Sequence, residues 1–103
     1  MAKVIWSDSA LQDLSDIGEY ISKDSERYAE ITVNQLFITP DIHEDHPRAG
    51  RIVPEFEIES IRELIQGNYR IVYQLVDEQS IHILAVHHSA RLLSNITYPI
   101  KEK

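Results

Sequence analysis

The sequence predicts an α+β fold in which a helical hairpin packs on one face of an antiparallel sheet. Three observations predict it. Apolar residues recur at helical spacing through about the first forty positions. Beyond residue 50 the period changes to the alternation of β-strands. The strand-like segments there are separated by connections short enough for hairpins, which makes neighbouring strands antiparallel.

The run Ala2–Trp6 (AKVIW) is short, partly β-branched and stopped by Ser7, which suits a first strand. Ser7 is placed to cap a helix, with Asp8 in its first turn answering the helix dipole. Ala10, Leu14, Ile17 and Ile21 then form one apolar stripe, predicting a helix over Asp8–Ser22. Gly18 lies inside it, at a cost of about 1 kcal/mol relative to Ala. Ser25 caps a second helix carrying Ala29, Val33, Leu36 and Phe37. Pro40 interrupts that pattern, and Thr39–Pro40–Asp41 reads as a new N-cap, N1 and N2, with a short turn to about Glu44. His46–Gly50 reads as a loop. Strands are expected at Arg51–Val53, Ser60–Ile65, Tyr69–Val76 and Ser80–Val86, with turns at Gln66–Asn68 and Asp77–Gln79. Ala90–Ile96 suits a short helical turn, and Pro99–Lys103 is expected to fray.

A chain of 103 residues fits one domain, residues 1–103, with a modest core. With no cysteine, a disulfide framework and a thiolate metal site are both excluded. No apolar run approaches the roughly 20 residues that span a bilayer, and Met1–Trp6 lacks a signal-peptide pattern, so a cytoplasmic protein is expected. The net charge of −7 argues against broad non-specific nucleic-acid binding. It is also uneven. Residues 1–50 hold ten acids against four bases, whereas residues 51–103 hold seven against six. Any anion-facing surface therefore belongs to the second half.

That half carries the residues with chemistry. Gly50 can take the positive φ that the start of a strand sometimes needs, and Pro54, which cannot donate to a ladder, marks a strand end. Glu55 follows there, placed either to accept a proton or to pair with Arg62 or Arg70. Arg62 and Arg70 lie on adjacent predicted strands and, if register permits, face one another across the ladder. Two arginines so placed need an anion between them, supplied by Glu55 and Glu63 or by a ligand. His87, His88 and Arg91 form a third group, in which a histidine is either an acid–base residue or a strand-end surface residue. His43 and His46 fall at i, i+3 across a loop boundary, and no metal-ligand spacing is present; no metal or other cofactor is expected. Trp6, Tyr20, Tyr28 and Phe37 read as helix-packing aromatics, and Tyr69 and Tyr73 as partners on one sheet face.

Four strings in fixed order, GRIVPE (Gly50–Glu55), IREL (Ile61–Leu64), YRIVY (Tyr69–Tyr73) and VHHSARLL (Val86–Leu93), together resemble the RelE/ParE superfamily of bacterial type II toxins. The resemblance covers almost the whole chain, since Trp6, Ala10, Asp13–Leu14, Ile17 and Tyr20–Ile21 are similar to the superfamily's opening. It implies a β-α-α-β-β-β arrangement with the hairpin on an antiparallel sheet. RelE-like members cleave mRNA on the ribosome, and ParE-like members poison DNA gyrase. Where ribosome-dependent members carry lysines before the YR dipeptide, this chain has Ser60 and Arg62, and Asn95 stands roughly at their C-terminal tyrosine. A YoeB-like set (a Pro-Glu glutamate, a sheet arginine and a C-terminal histidine) is matched loosely by Glu55, Arg62 and His88. The strings are similar to ParE-like sequences at nearly every position.

The resemblance thus implies the toxin of a plasmid-stabilisation type module that poisons DNA gyrase and is held by a cognate antitoxin in a hetero-oligomer. The other reading is a RelE/YoeB-like mRNA interferase acting on ribosome and mRNA. Target contacts are expected at Arg62, Arg70, His88 and Arg91; if the chain is a nuclease, Glu55, Arg62, Arg70 and His88 are its catalytic candidates. The antitoxin is expected on the hairpin, at Leu11, Tyr20, Tyr28 and Phe37, through a basic segment.

Overall fold

A computed structural model describes residues 3–44, 49–77 and 79–88. Of the expected features, the 46–48 part of the loop, the helical turn at 90–96, Arg91 and the frayed 99–103 end lie outside the described residues. The chain runs through β1 (Lys3–Trp6), α1 (Asp8–Ser22), α2 (Glu26–Ile38), a 3₁₀ segment (Thr39–Glu44), β2 (Arg51–Ile52), β3 (Ile61–Gln66), β4 (Tyr69–Asp77) and β5 (Ser80–His88). Both helix starts are capped as the sequence predicts. The Ser7 hydroxyl accepts the Ala10 N–H at 3.0 Å, and the Ser25 hydroxyl accepts the Tyr28 N–H at 3.1 Å.

Pro40 ends α2, but Thr39 is not a new cap. It keeps helical dihedrals (φ −54°, ψ −42°), and its hydroxyl donates to the Gln35 carbonyl at 2.6 Å. The 3₁₀ segment therefore continues α2 directly. Gly18 sits against Val33 of α2, where a Cβ would lie 3.0 Å from Val33 Cγ2. Trp6 and Phe37 stack with ring centroids 5.3 Å apart, tying β1 to the end of α2. Tyr20 and Tyr28, read both as helix-packing aromatics and as antitoxin-facing residues, are 73% and 61% exposed and so do not pack between the helices.

The sheet has the order β1-β5-β4-β3-β2. The β2–β5 meander is antiparallel, as its short turns dictate, with Gly67 at φ +59° in the two-residue β3–β4 turn. The sheet as a whole is mixed, because β1 joins parallel to β5, pairing Val4 with Ile81 and Trp6 with Ile83. Turn chemistry reports only sequence neighbours, and β1 reaches its partner across the whole helical hairpin.

Both sheet faces are covered, by different means. On one, Ile71, Tyr73 and Leu75 of β4 with Ile81, Ile83 and Val86 of β5 pack against Ala10, Leu14 and Leu36 of the hairpin. On the other, Val53 and Phe56 fold back over Ile61, Val72 and Leu84. The Val53 N–H donates to the Ile61 carbonyl at 3.1 Å, so the 53–60 connection is a strap lying against its own sheet.

Gly50 is needed for space rather than for positive φ, which among the described glycines only Gly67 adopts. A Cβ at Gly50 would lie 2.5 Å from the Glu63 carbonyl oxygen and 2.6 Å from the Tyr73 hydroxyl. That hydroxyl, fully buried, accepts the Gly50 N–H at 2.9 Å. Burial raises the Tyr73 phenol above its usual pKa, against a lowering by the Gly50 hydrogen bond and by Arg62. The fold therefore holds this proton more tightly than the unfolded chain does. Stability from this source is intact below about pH 10 and falls as pH rises above it. Tyr73→Phe should cost about 1–2 kcal/mol in urea unfolding, because it strands the buried Gly50 N–H, and should flatten part of the alkaline loss.

Candidate functional site

Side chains on β3 and β4 alternate between the two faces, and the register decides which face each cation takes. Arg62 pairs with Tyr73, and Arg70 with Ile65. The two arginines thus do not face one another. Arg62 shares the helix-covered face with Tyr73 and Leu64, while Arg70 shares the strap-covered face with Glu63 and Val72. Because Gln66 pairs with Tyr69, the turn holds only Gly67 and Asn68, and the position opposite Arg62 falls three residues beyond Arg70, an odd offset that puts the two arginines on opposite faces.

On the strap face the sequence builds a chain of alternating charges. The Arg70 guanidinium grips Glu55 with two bonds, Nη1 to Oε2 at 2.7 Å and Nη2 to Oε1 at 2.9 Å. Its Nε also donates to Glu63 Oε1 at 2.6 Å. The other oxygen of Glu63 accepts from Arg51 Nε. The Glu63 side chain is fully buried and that of Arg70 is 6% exposed, whereas that of Arg51 is 63% exposed. The hydrogen bonds from Arg70 to Glu55 hold its guanidinium further above its usual pKa; burial opposes this, and Glu63 adds to it. Two arginines and two carboxylates close to neutrality, so the anion expected beside Arg70 is supplied by the protein itself. Glu55 stands here in its pairing role, locking the strap to β4.

On the helix face, Arg62 Nη1 donates to the Gly50 carbonyl at 3.0 Å and Nε to the Glu59 carbonyl at 3.2 Å. It ties the residue before β2 and the far end of the strap to β3. His88 pairs with Tyr69 at the far end of β5, with rings edge-to-face at 5.8 Å and 76°. Four positions along β4 separate Tyr73, opposite Arg62, from Tyr69, opposite His88, or about 13 Å along the strand. His87 lies on the opposite face, buried and paired with Arg70 in the ladder. Of the catalytic candidates, the structure therefore brings together Glu55 and Arg70 and separates them from Arg62 and from His88. Among the described residues, no three His, Asp or Glu side chains converge on a point that could hold a metal ion.

Two members of this arrangement were not singled out from the sequence. Arg51 was read only as part of a strand; its signal was its place directly after Gly50, opposite Glu63. Asp13 was named only in the resemblance to the superfamily's opening, with no contact expected of it; its Oδ2 accepts the Val86 N–H at 3.0 Å and pins α1 to β5.

The described fold belongs to a recognisable class. The structure is similar to the chromosomal ParDE toxin–antitoxin system from P. aeruginosa, with TM-score 0.70 and 20% identity over 85% of this chain and 96% of that one. It is also similar to the RelBE2 toxin–antitoxin complex from Mycobacterium tuberculosis, with TM-score 0.53 and 25% identity over 84% and 96% of the two chains. In sequence, Toxin RelE2 of Caulobacter vibrioides is 30% identical over 92 residues, 89% of this chain and 100% of that protein. The profile of the ParE toxin of type II toxin–antitoxin systems (parDE) matches residues 4–93. The chain belongs to this ParE toxin family, within the RelE/ParE superfamily of type II toxins.

The charge ladder sets a measurable order of stabilities. Glu63→Ala removes the fully buried carboxylate that Arg51 and Arg70 share, leaves the buried Arg70 Nε without its partner, and should cost about 3–5 kcal/mol. Glu55→Ala leaves Arg70 with Glu63 and should cost less than half of that. Equal losses in chemical unfolding would contradict this ranking.

Proposed function

We propose that this toxin acts by binding rather than by hydrolysis, with DNA gyrase as its target, and that a cognate antitoxin neutralises it by lying along the helical hairpin. The observation that carries the first part is the division of the candidate catalytic set. Cleavage of RNA by its own 2′-hydroxyl needs a base, an acid and phosphate-binding cations around one phosphate. Here Arg70 is engaged by two carboxylates on one sheet face, while Arg62 and His88 stand well apart on the other. The target contacts proposed in this reading are Arg62, Arg70, His88 and Arg91; of these, Arg62 and His88 share one sheet face about 13 Å apart and Arg70 lies on the other.

The hairpin supports the second part. Between α1 and α2 runs a groove of about 830 Å³ floored by Leu14, Gly18, Ala29, Val33 and Phe37. Glu19, Glu26 and Glu30 line it as well, so it suits an amphipathic segment with basic flanks. Leu11, Tyr20, Tyr28 and Phe37 are exposed on the same two helices and complete the antitoxin surface. No helix among the described residues is long and apolar enough to cross a membrane.

The similarity to Toxin RelE2 favours a second reading, ribosome-dependent mRNA cleavage. In that case Glu55 or His88 takes the 2′-hydroxyl proton while Arg62 and Arg70 hold the phosphate. Purified toxin assayed in parallel separates the two. We expect inhibited supercoiling or trapped gyrase cleavage complexes, with ribosome-bound mRNA intact. Cut mRNA with unaffected gyrase would reverse the assignment, and Glu55→Gln and His88→Ala would then abolish cleavage.

A further inference from the structure

A second concavity lies on the opposite flank of α1 from the antitoxin groove, between that helix and the ends of β4 and β5. It has a volume of about 390 Å³, and its walls include Asp13, Asp16, Ile17, Tyr20, Tyr69 and His88. That size is at the low end for ligand pockets and suits one inserted side chain rather than a helix.

The chemistry of the walls is that of a cation receptor. Asp13 and Asp16, three apart, stand on one side of α1. Each has one oxygen committed, Asp13 Oδ2 to the Val86 N–H at 3.0 Å and Asp16 Oδ1 to the Gln12 side-chain amide at 2.9 Å. Each therefore keeps a second oxygen for a donor. Among the described residues no lysine or arginine pairs with either carboxylate. The helix itself adds Asp8 and Glu19 and contains no basic residue, so like charge accumulates there without neutralisation. The facing wall carries Tyr69 and His88 edge-to-face, with Val86 and His87 beside them and the exposed Tyr20 ring at the rim. A carboxylate pair beside aromatic rings suits a guanidinium above an ammonium, because the planar fork bonds an acid while its face stacks on a ring.

We propose that this pocket binds the guanidinium of one arginine side chain, presented by the antitoxin. The choice of source rests on the hairpin-docking reading given above. Leu14, Ser15 and Gly18 face the groove, while Asp13, Asp16, Ile17 and Tyr20 face the pocket, so only the width of α1 separates the two. A helix is about 10 Å across, which an extended segment crosses in roughly three residues. An antitoxin that fills the groove and crosses α1 reaches the pocket with its next side chains.

Two measurements test this. The first titrates the full-length toxin with acetyl-arginine amide and follows amide resonances. Saturable shifts at Asp16, Tyr20 and Tyr69 are expected, at least fivefold weaker in Asp16→Asn and absent with the uncharged acetyl-citrulline amide. Asp16 is exposed and bonds only Gln12 among the described residues, so the variant should fold normally, which a thermal melt checks. Equal binding of citrulline, or no loss in Asp16→Asn, overturns the pocket. The second measures antitoxin affinity for wild type and Asp16→Asn while antitoxin arginines are changed singly to glutamine. One arginine should cost tenfold or more against wild type and little against Asp16→Asn. If the antitoxin binds but no arginine couples to Asp16, this inference fails and hairpin docking stands. If the antitoxin does not bind the toxin at all, hairpin docking fails, and the antitoxin arginine falls with it.

Discussion

The buried carboxylate of Glu63 is the constraint around which the second half of this protein is arranged. It sits in the middle of β3 with its side chain wholly removed from water, a position that an unpaired charge does not tolerate. Arg70 from β4 and Arg51 from β2 meet its two oxygens, and Arg70 extends the chain to Glu55 on the strap. One charged side chain thereby fixes three strands and the connection between two of them. Replacing such a cluster with apolar side chains is often neutral for stability, so its value lies in specifying register and strap position. A one-residue slip of β3 would bury Arg62 where Glu63 now stands and leave Arg70 without its acid.

The opposite face of the same strand is secured by neutral groups. Arg62, one residue before Glu63, donates to the Gly50 and Glu59 carbonyls, and the Tyr73 hydroxyl takes the Gly50 N–H. Gly50 is the meeting point of both systems, because its Cα lies against the Glu63 backbone as well as the Tyr73 ring. A two-residue strand such as β2 has little ladder of its own to hold it. It is retained by arginine bonds on both faces and by a glycine small enough to let them close.

Much of this was legible in the sequence. Ser7 and Ser25 announced the helix starts, the apolar stripe named Ala10 and Leu14, and the change of period located the meander. The four strings identified the family. What could not be read were relations between distant segments. The parallel pairing of β1 with β5 is made across the helical hairpin, and no local signal encodes it. The separation of Arg62 from Arg70 hung on whether Gln66 belonged to a turn or a strand, a difference of one residue that reverses a face. Glu55 was correctly placed beside an arginine. That its partner is Arg70, with Glu63 beneath, depended on the strap folding back over Val72, which only the pairing of Val53 with Ile61 reveals.

The ladder also bears on the proposed choice between binding and hydrolysis. For Arg70 to hold a scissile phosphate it must exchange partners, leaving Glu55 or Glu63 without its cation. Breaking a pair this deeply buried costs about 3–5 kcal/mol, equivalent to roughly a hundred- to several-thousand-fold in an equilibrium constant. A phosphate could meet that cost only by bringing its own charge into the same enclosed space, directly beside two carboxylates that repel it. A protein surface meets no such obstacle. It can contact the exposed arm of Arg51 on one face of the sheet, or the exposed His88 on the other, while the ladder stays closed. The same closed ladder that gives the fold its register is the physical ground for proposing recognition rather than hydrolysis.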